Sequence, residues 1–145
     1  MIDPAAPIEN TGYRWVPSFA RGFVRDLRPR WACEEAGLPY RERLLDVQNK
    51  PGVFAEEQPW SQVPVVRDGD VALFESGATL LHLGEKSEAL LPVEAKARAT
   101  AISWLFAAYN SVEPPLMEFT NVTAFAKGED WARLRRPSLE TFIAR

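Results

Sequence analysis

Two short stretches of the chain carry groups that could hold a small polar molecule: QVPVV at residues 62–66 and FES at residues 74–76, with the turn sequence RDGD between them. Pro64 has no N–H to give to a β-ladder. Val63 before it can therefore leave its own N–H and C=O facing a groove, where an extended peptide could pair with them. A cis Val63–Pro64 bond would turn the backbone sharply at that point; an ordinary trans edge proline is the alternative. Glu75 and Ser76 fall where a strand gives way to a helix. The first N–H groups of a helix lack partners inside it, so together with the Ser76 hydroxyl they can hold a carboxylate. Glu75 can hold an ammonium, and the pair would then grip the amino-acid end of a zwitterion. The competing reading makes Ser76 an N-cap and nothing more. A hairpin between the two stretches folds Val63 and Ser76 toward one end of the same strand pair.

The elements that must position these groups follow from pattern. Tyr13 to Val16 has strand-forming residues and ends at Pro17. Phe23, Leu27, Trp31 and Ala32 recur at helix spacing, which predicts an apolar helix face; Pro29 marks either the start of the regular turn or a kink, and Gly37 closes the helix. Tyr40 to Leu45 predicts a second strand packed through Leu44 or its neighbours. Residues 46–61 have no clean period and read as a loop with one helical turn. Asp68-Gly69 supplies turn chemistry for a hairpin of Val63–Arg67 with Asp70–Phe74, and a helix runs from Ser76 to Leu83, stopped by Gly84. Strand, helix, strand, hairpin and helix in that order predict a mixed sheet with helices on both faces.

A linker, residues 85–92, follows, and from Val93 the pattern is helical throughout. Ala97, Ala101, Trp104, Leu105 and Ala108 form an apolar stripe on a helix of about four turns that SVEPP ends. One more helix is expected at Ser138 to Ala144. So short a helical region leaves an apolar face that a second subunit could cover.

Composition narrows the function. The 145 residues suffice for one good core, 46% of them are hydrophobic, and 20 acidic residues against 17 basic ones give a formal charge of -3, which offers no general attraction to nucleic acid or anionic membrane. MIDPAAPIEN has neither a basic nor an apolar segment of the kind a signal peptide needs, so the chain reads as a soluble cytoplasmic protein. Cys33 is the single cysteine and His82 the single histidine. These exclude an internal disulfide, a Cys-x-x-Cys redox pair and a typical zinc site, and no metal is expected. His82 sits among leucines and reads as a packed helix residue, Cys33 as a buried inert thiol. The arginines between Arg14 and Arg30 are diluted by Asp26, Glu34 and Glu35 and read as a solvated face.

QVPVV, DG and FESGATLLHL in succession resemble the glutathione-binding signature of the glutathione transferase superfamily, and RWACEEAGLPY resembles its first helix running into the second strand. The resemblance implies an α/β thioredoxin-like amino-terminal domain over residues 11–84, then an incomplete all-helical domain over residues 93–145, whose first helix EAKARATAISWLFAAYNSVEP resembles. It implies glutathione as co-substrate, with Pro64 as the cis-proline, Val63 holding the cysteine backbone, Glu75 and Ser76 gripping the γ-glutamyl group, and Gln62 beside the tripeptide. It also implies an activating Ser, Cys or Tyr between the first strand and the first helix. Counting back from the helix reaches Phe23 or Val24, which cannot donate; counting forward from the strand reaches Ser18, with Arg21 and Arg25 as cationic alternatives that would favour a thiolate. Trp104, Phe106 and Tyr109 could line what remains of a co-substrate pocket, or be core. The function implied is transfer of the glutathione thiolate to a small hydrophobic electrophile, or its use in a reduction, by a homodimer. A non-catalytic glutathione-binding or dimerising module of the same fold is the alternative.

Overall fold

Residues 1–145 are described by a computed structural model. The chain divides into two units, Met1–Arg98 and Ala99–Arg145.

The first unit is built on a four-stranded sheet in the order β2-β1-β3-β4, with β1 at Ile8–Tyr13, β2 at Tyr40–Leu45, β3 at Val66–Asp68 and β4 at Val71–Leu73. β1 pairs parallel to β2, from Ile8 with Tyr40 through Tyr13 with Leu45, and antiparallel to β3. The sheet thus begins ahead of residue 11, and β1 lies N-terminal to the Tyr13–Val16 expected from propensity. The segment IENTGY looks polar, yet Asn10 and Thr11 are fully buried. Pairing on both sides places them in the sheet, and the Asn10 side chain donates from Nδ2 to the Asp26 carbonyl at 3.1 Å. The hairpin has a two-residue loop, Gly69-Asp70, flanked by the Asp68–Val71 pair; it is shorter than expected, because Val63 to Val65 lie outside the β3–β4 ladder.

Helices α1 (Leu27–Glu35) and α3 (Ser76–Gly84) cover one face of the sheet, over a core of Ile8, Ala32, Cys33, Tyr40, Val66 and Leu83. The other face packs Leu45, Val63 and Val65 against Phe54 from the one-turn helix α2 (Phe54–Glu57), with Tyr13 and Val24 at the margin. Neighbouring residues Val65 and Val66 serve opposite faces, as the period of a strand requires. α1 buries Pro29, Ala32 and Cys33, whereas Phe23 and Trp31 are largely exposed. The apolar face expected from Phe23, Leu27 and Trp31 is therefore the outer one. Arg30 explains the rotation: it points inward to form ion pairs with Asp26 and Glu42. A side chain at residue 12 would collide with that cluster, since a Cβ there would lie 2.4 Å from Asp26 Oδ2. Pro29 is the third residue of α1, where its missing N–H costs nothing.

Gly84 is the last residue of α3, and its role differs from the positive-φ stop expected of it. A Cβ at this position would approach Leu91 Cβ to 2.9 Å. The segment after α3 packs over it, with Leu91 buried and Leu90 against the α1–α3 core, so residues 85–92 belong to the first unit.

The second unit contains most of α4 (Ala95–Ala107), then α5 (Glu113–Thr120) and α6 (Asp130–Ile143), joined through π-helical turns at Ala108–Val112 and Asn121–Phe125. Its core is Val122, Ala132 and Leu139. α5 was not expected: Pro114 and Pro115 stand in its first turn, where proline starts a helix as readily as it stops one. α6 is also longer than Ser138 to Ala144 and carries Pro137 inside it. On α4 no residue is buried, and Trp104 is 71% exposed. No helix of the chain is long and apolar enough to cross a membrane.

Two measurements check this packing. Gly84→Ala should destabilise the chain by about 1–3 kcal/mol in urea unfolding, the usual cost of overpacking. Asp68 accepts hydrogen bonds from Lys86 and His82, each at 2.7 Å, and these hold its carboxyl below the usual carboxylate range against the opposing effect of burial. A depressed carboxylate stabilises above its unfolded pKa of ~3.9, and that stabilisation is lost as pH falls through the lower folded value. Asp68→Asn should therefore flatten the acid limb of a stability-against-pH profile.

Candidate functional site

The turn into β3 and the start of α3 meet at a shallow corner lined by Arg25, Gln58, Gln62, Val63, Pro64, Glu75 and Ser76. Six of these are residues singled out in the sequence: Gln62, Val63, Pro64, Glu75 and Ser76 for the tripeptide, and Arg25 as a candidate activator. The Val63–Pro64 bond is cis. Val63 is buried, and its N–H and C=O make no hydrogen bond to another main-chain group. Beyond it the chain falls into line with the sheet, where Thr11 N donates to Val65 O at 2.9 Å. Behind the corner, the Lys50 ammonium donates to the Ser61 carbonyl and sits 5.3 Å from the Tyr13 ring centre. The Gln58 side chain turns inward to accept from Trp60 N at 2.6 Å.

Glu75 occupies the N-cap position of α3 with φ of 65° and is exposed, while Ser76, the first helical residue, is buried. Ser76 is thus one residue past the cap. Its Oγ accepts a hydrogen bond from Arg28 of α1 at 3.1 Å. Because an N-terminal turn presents N–H groups outward with a partial positive charge, the start of α3 suits an anion.

The candidate activators separate. Arg25 lines the corner. Ser18 lies exposed on the 3-10 turn Ser18–Ala20 and does not line it. Arg21 borders a second hollow of about 190 Å³ with Tyr13, Asp26 and Arg30, between the end of β1 and α1. Burial there pushes the Asp26 carboxyl up, against the opposing pull of Arg30. A larger cleft of about 280 Å³ lies within the second unit; Arg135 forms part of its wall, donating to Glu118 at 2.7 Å and 2.9 Å and to Ser138 Oγ at 3.0 Å. Trp104 and Phe106 are exposed rather than gathered around a pocket. Arg28 and Gln58 went unnoticed in the sequence. For Arg28 a signal existed, since it stands three residues after Arg25, at the start of α1.

Cys33 is fully enclosed by the α1–α3 core, and burial pushes its thiol up to about 11. His82 is committed to Asp68. No group of three or more His, Cys, Asp or Glu side chains is placed to hold a metal ion.

A mixed sheet with one parallel and one antiparallel neighbour to β1, helices on both faces and a cis-proline leading into β3 define a thioredoxin-like fold. Residues 19–85 match the family described as Glutathione S-transferase, N-terminal domain, and this unit belongs to the glutathione transferase superfamily. The match starts one residue after Ser18, leaving β1 outside it. Among curated relatives, the chain is 37% identical over 94 residues to Disulfide-bond oxidoreductase YfcG of Escherichia coli, covering 57% of this chain and 43% of that protein. To Glutathione S-transferase F10 of Arabidopsis thaliana it is 34% identical over 116 residues, covering 74% of this chain and 54% of the relative. It therefore spans about half the length of these relatives. A glutathione transferase family member from Pseudomonas fluorescens, solved with two glutathione bound, superposes with a TM-score of 0.72 at 26% identity, over 93% of this chain and 59% of that one.

With its pKa near 11, Cys33 should react with a disulfide reagent at pH 8 on the order of a hundredfold more slowly in the native protein than a free thiol does, burial slowing it further. Addition of denaturant should restore the ordinary rate; fast labelling of the folded chain would contradict the enclosed position.

Proposed function

We propose that this chain binds glutathione at the corner and presents its thiolate to a small hydrophobic electrophile. The observation that carries the reading is the convergence of Gln62, Val63, Pro64, Glu75 and Ser76, from segments separated by a hairpin, on one surface. In this reading the Val63 main chain pairs with the cysteine backbone of the tripeptide. Glu75 takes the γ-glutamyl ammonium. Ser76 and the N-terminus of α3 take its carboxylate, and Gln62 lies alongside. The unoccupied N–H and C=O of Val63 and the positive end of α3 support this arrangement.

Activation of the thiol then falls to Arg25 rather than Ser18. A cation near a thiol favours the thiolate, which is the attacking species, and Arg25 is the candidate that lines the corner. No side-chain hydroxyl other than that of Ser76 joins it there. The working protein in this reading is a cytoplasmic homodimer, and the exposed side of α4 supports an apolar contact with another chain. The alternative of a non-catalytic binding or dimerising module rests on the absence of Ser18 from the corner.

A second catalytic reading is glutathione-dependent disulfide reduction, favoured by the name of the Escherichia coli relative. One cysteine excludes a dithiol of the protein's own, but two glutathione molecules balance the reaction: the disulfide yields two thiols, and the tripeptides leave as their own disulfide.

Calorimetric titration of glutathione tests the site. The chain should bind, and Ser76→Ala should weaken binding roughly tenfold or more, the cost of a lost hydrogen bond to a charged group. Conjugation to a chloronitrobenzene and reduction of a mixed disulfide, each measured with glutathione, separate the two chemistries. Binding without either rate above background would leave the module reading in place.

A further inference from the structure

Gln58 ends α2 and lines the corner, yet only 3% of it is exposed. Its main chain is held on both sides: the N–H donates to Phe54 O at 3.0 Å, and the carbonyl accepts from Ser61 N at 2.8 Å. The side-chain amide is oriented as well. Oε1 accepts from Trp60 N at 2.6 Å, and since a main-chain N–H needs an oxygen to donate to, the two ends of the amide cannot be exchanged. That bond accounts for the oxygen as a support of the Pro59-Trp60 turn. It leaves the nitrogen unexplained, because Nε2 has no acceptor anywhere in the chain. Polar groups this enclosed normally have a partner. For Gln58 the corner is the side from which one can come.

An amide nitrogen only donates, so the missing partner is an acceptor. In the glutathione reading, Glu75, Ser76 and the start of α3 occupy the amino-acid end of the ligand, and the Val63 main chain pairs with the N–H and C=O of its cysteine. The isopeptide carbonyl, which joins the γ-glutamyl group to that cysteine, is left over. In a trans amide it points away from the N–H that meets Val63, so one residue cannot serve both. We infer that Gln58 is a binding residue whose side-chain N–H donates to the isopeptide carbonyl of a γ-glutamyl ligand. This rests on the glutathione reading of the corner.

Three ligands probe the contact by calorimetry on the full chain: glutathione; γ-glutamylcysteine, which lacks the glycine; and γ-glutamyl-α-aminobutyryl-glycine, which lacks the sulfur. All three keep the isopeptide carbonyl. Gln58→Met removes the donor, and should weaken all three by a similar factor, roughly five- to tenfold, as expected for one lost hydrogen bond in an enclosed setting. Gln58→Glu keeps an oxygen for Trp60 N but has no N–H, and should weaken them at least as much. A loss confined to the ligands with glycine, or to those with sulfur, would overturn the assignment to the carbonyl. A loss in Gln58→Met that Gln58→Glu does not share would reduce the residue to a support of the turn. In the NMR spectrum of the isotope-labelled, unmodified chain, the Gln58 side-chain NH2 signals should move downfield as glutathione is added. Signals that stay in place while the ligand binds would contradict the contact without any variant having to fold. Failure of the unmodified chain to bind glutathione would overturn the reading of the corner, and this assignment with it; binding that is indifferent to Gln58 would overturn the assignment alone.

Discussion

The corner depends on where the chain joins the central strand. β1 is paired on both sides, to β2 in one sense and to β3 in the other, and the antiparallel partner is anchored upstream of β3 by the bond from Thr11 N to Val65 O. That bond fixes the path of the chain just after Val63-Pro64. Residues before it escape the ladder, and their backbone groups remain available. A strand that paired all the way to Gln62 would have spent those groups on the sheet. Burying Val63 and Val65 against Phe54 holds the segment down, while Lys50 holds Ser61 from the loop behind. The site is thus the first stretch of a strand that the sheet leaves unpaired, pinned by side chains on one face.

Much of this was legible because the strongest signals were local. Asp68-Gly69 predicted a hairpin, and the switch from strand to helix at Glu75-Ser76 was written in seven or eight residues of pattern. Together they placed the corner's residues correctly relative to each other. Longer-range features were harder to read. IENTGY hides a central strand, because Asn10 and Thr11 are buried by pairing and, for Asn10, by a partner just before α1 that no window around them contains. The face of α1 was misassigned for a related reason. Its aromatic residues point out and Arg30 points in, because the ion pairs with Asp26 and Glu42 settle its orientation. Charge pairing between elements overrode a weak hydrophobic period. In the helical unit, Pro114 and Pro115 read as a terminus, though the first turn of α5 accommodates them.

The electrostatics of the first unit fall into separate groups. Asp68 with His82 and Lys86 ties the hairpin to α3, and Glu57 with Arg43 and Arg67 ties α2 to the sheet, its carboxyl held low chiefly by the hydrogen bond from Arg43. Asp26 with Arg30 and Glu42 is the most enclosed of them, and the closest to the start of α1. Each positive group in these sets already answers a carboxylate. Arg25 lines the corner and Arg28 donates to the serine at its edge, so the cations beside the site come from the turn before α1 and from its first residues, while its geometry comes from β3 and α3.

The bridge from Arg28 to Ser76 also bears on how the protein is made. Its two ends are 48 residues apart, and β2, α2 and the hairpin lie between them. Contacts of that separation form late, since the entropy of closing the loop is paid before they return anything. No fragment ending before α3 can display the corner, and no partly folded chain offers it complete. A ligand held there binds only molecules that have finished assembling this unit, and draws the population of chains toward that state by mass action.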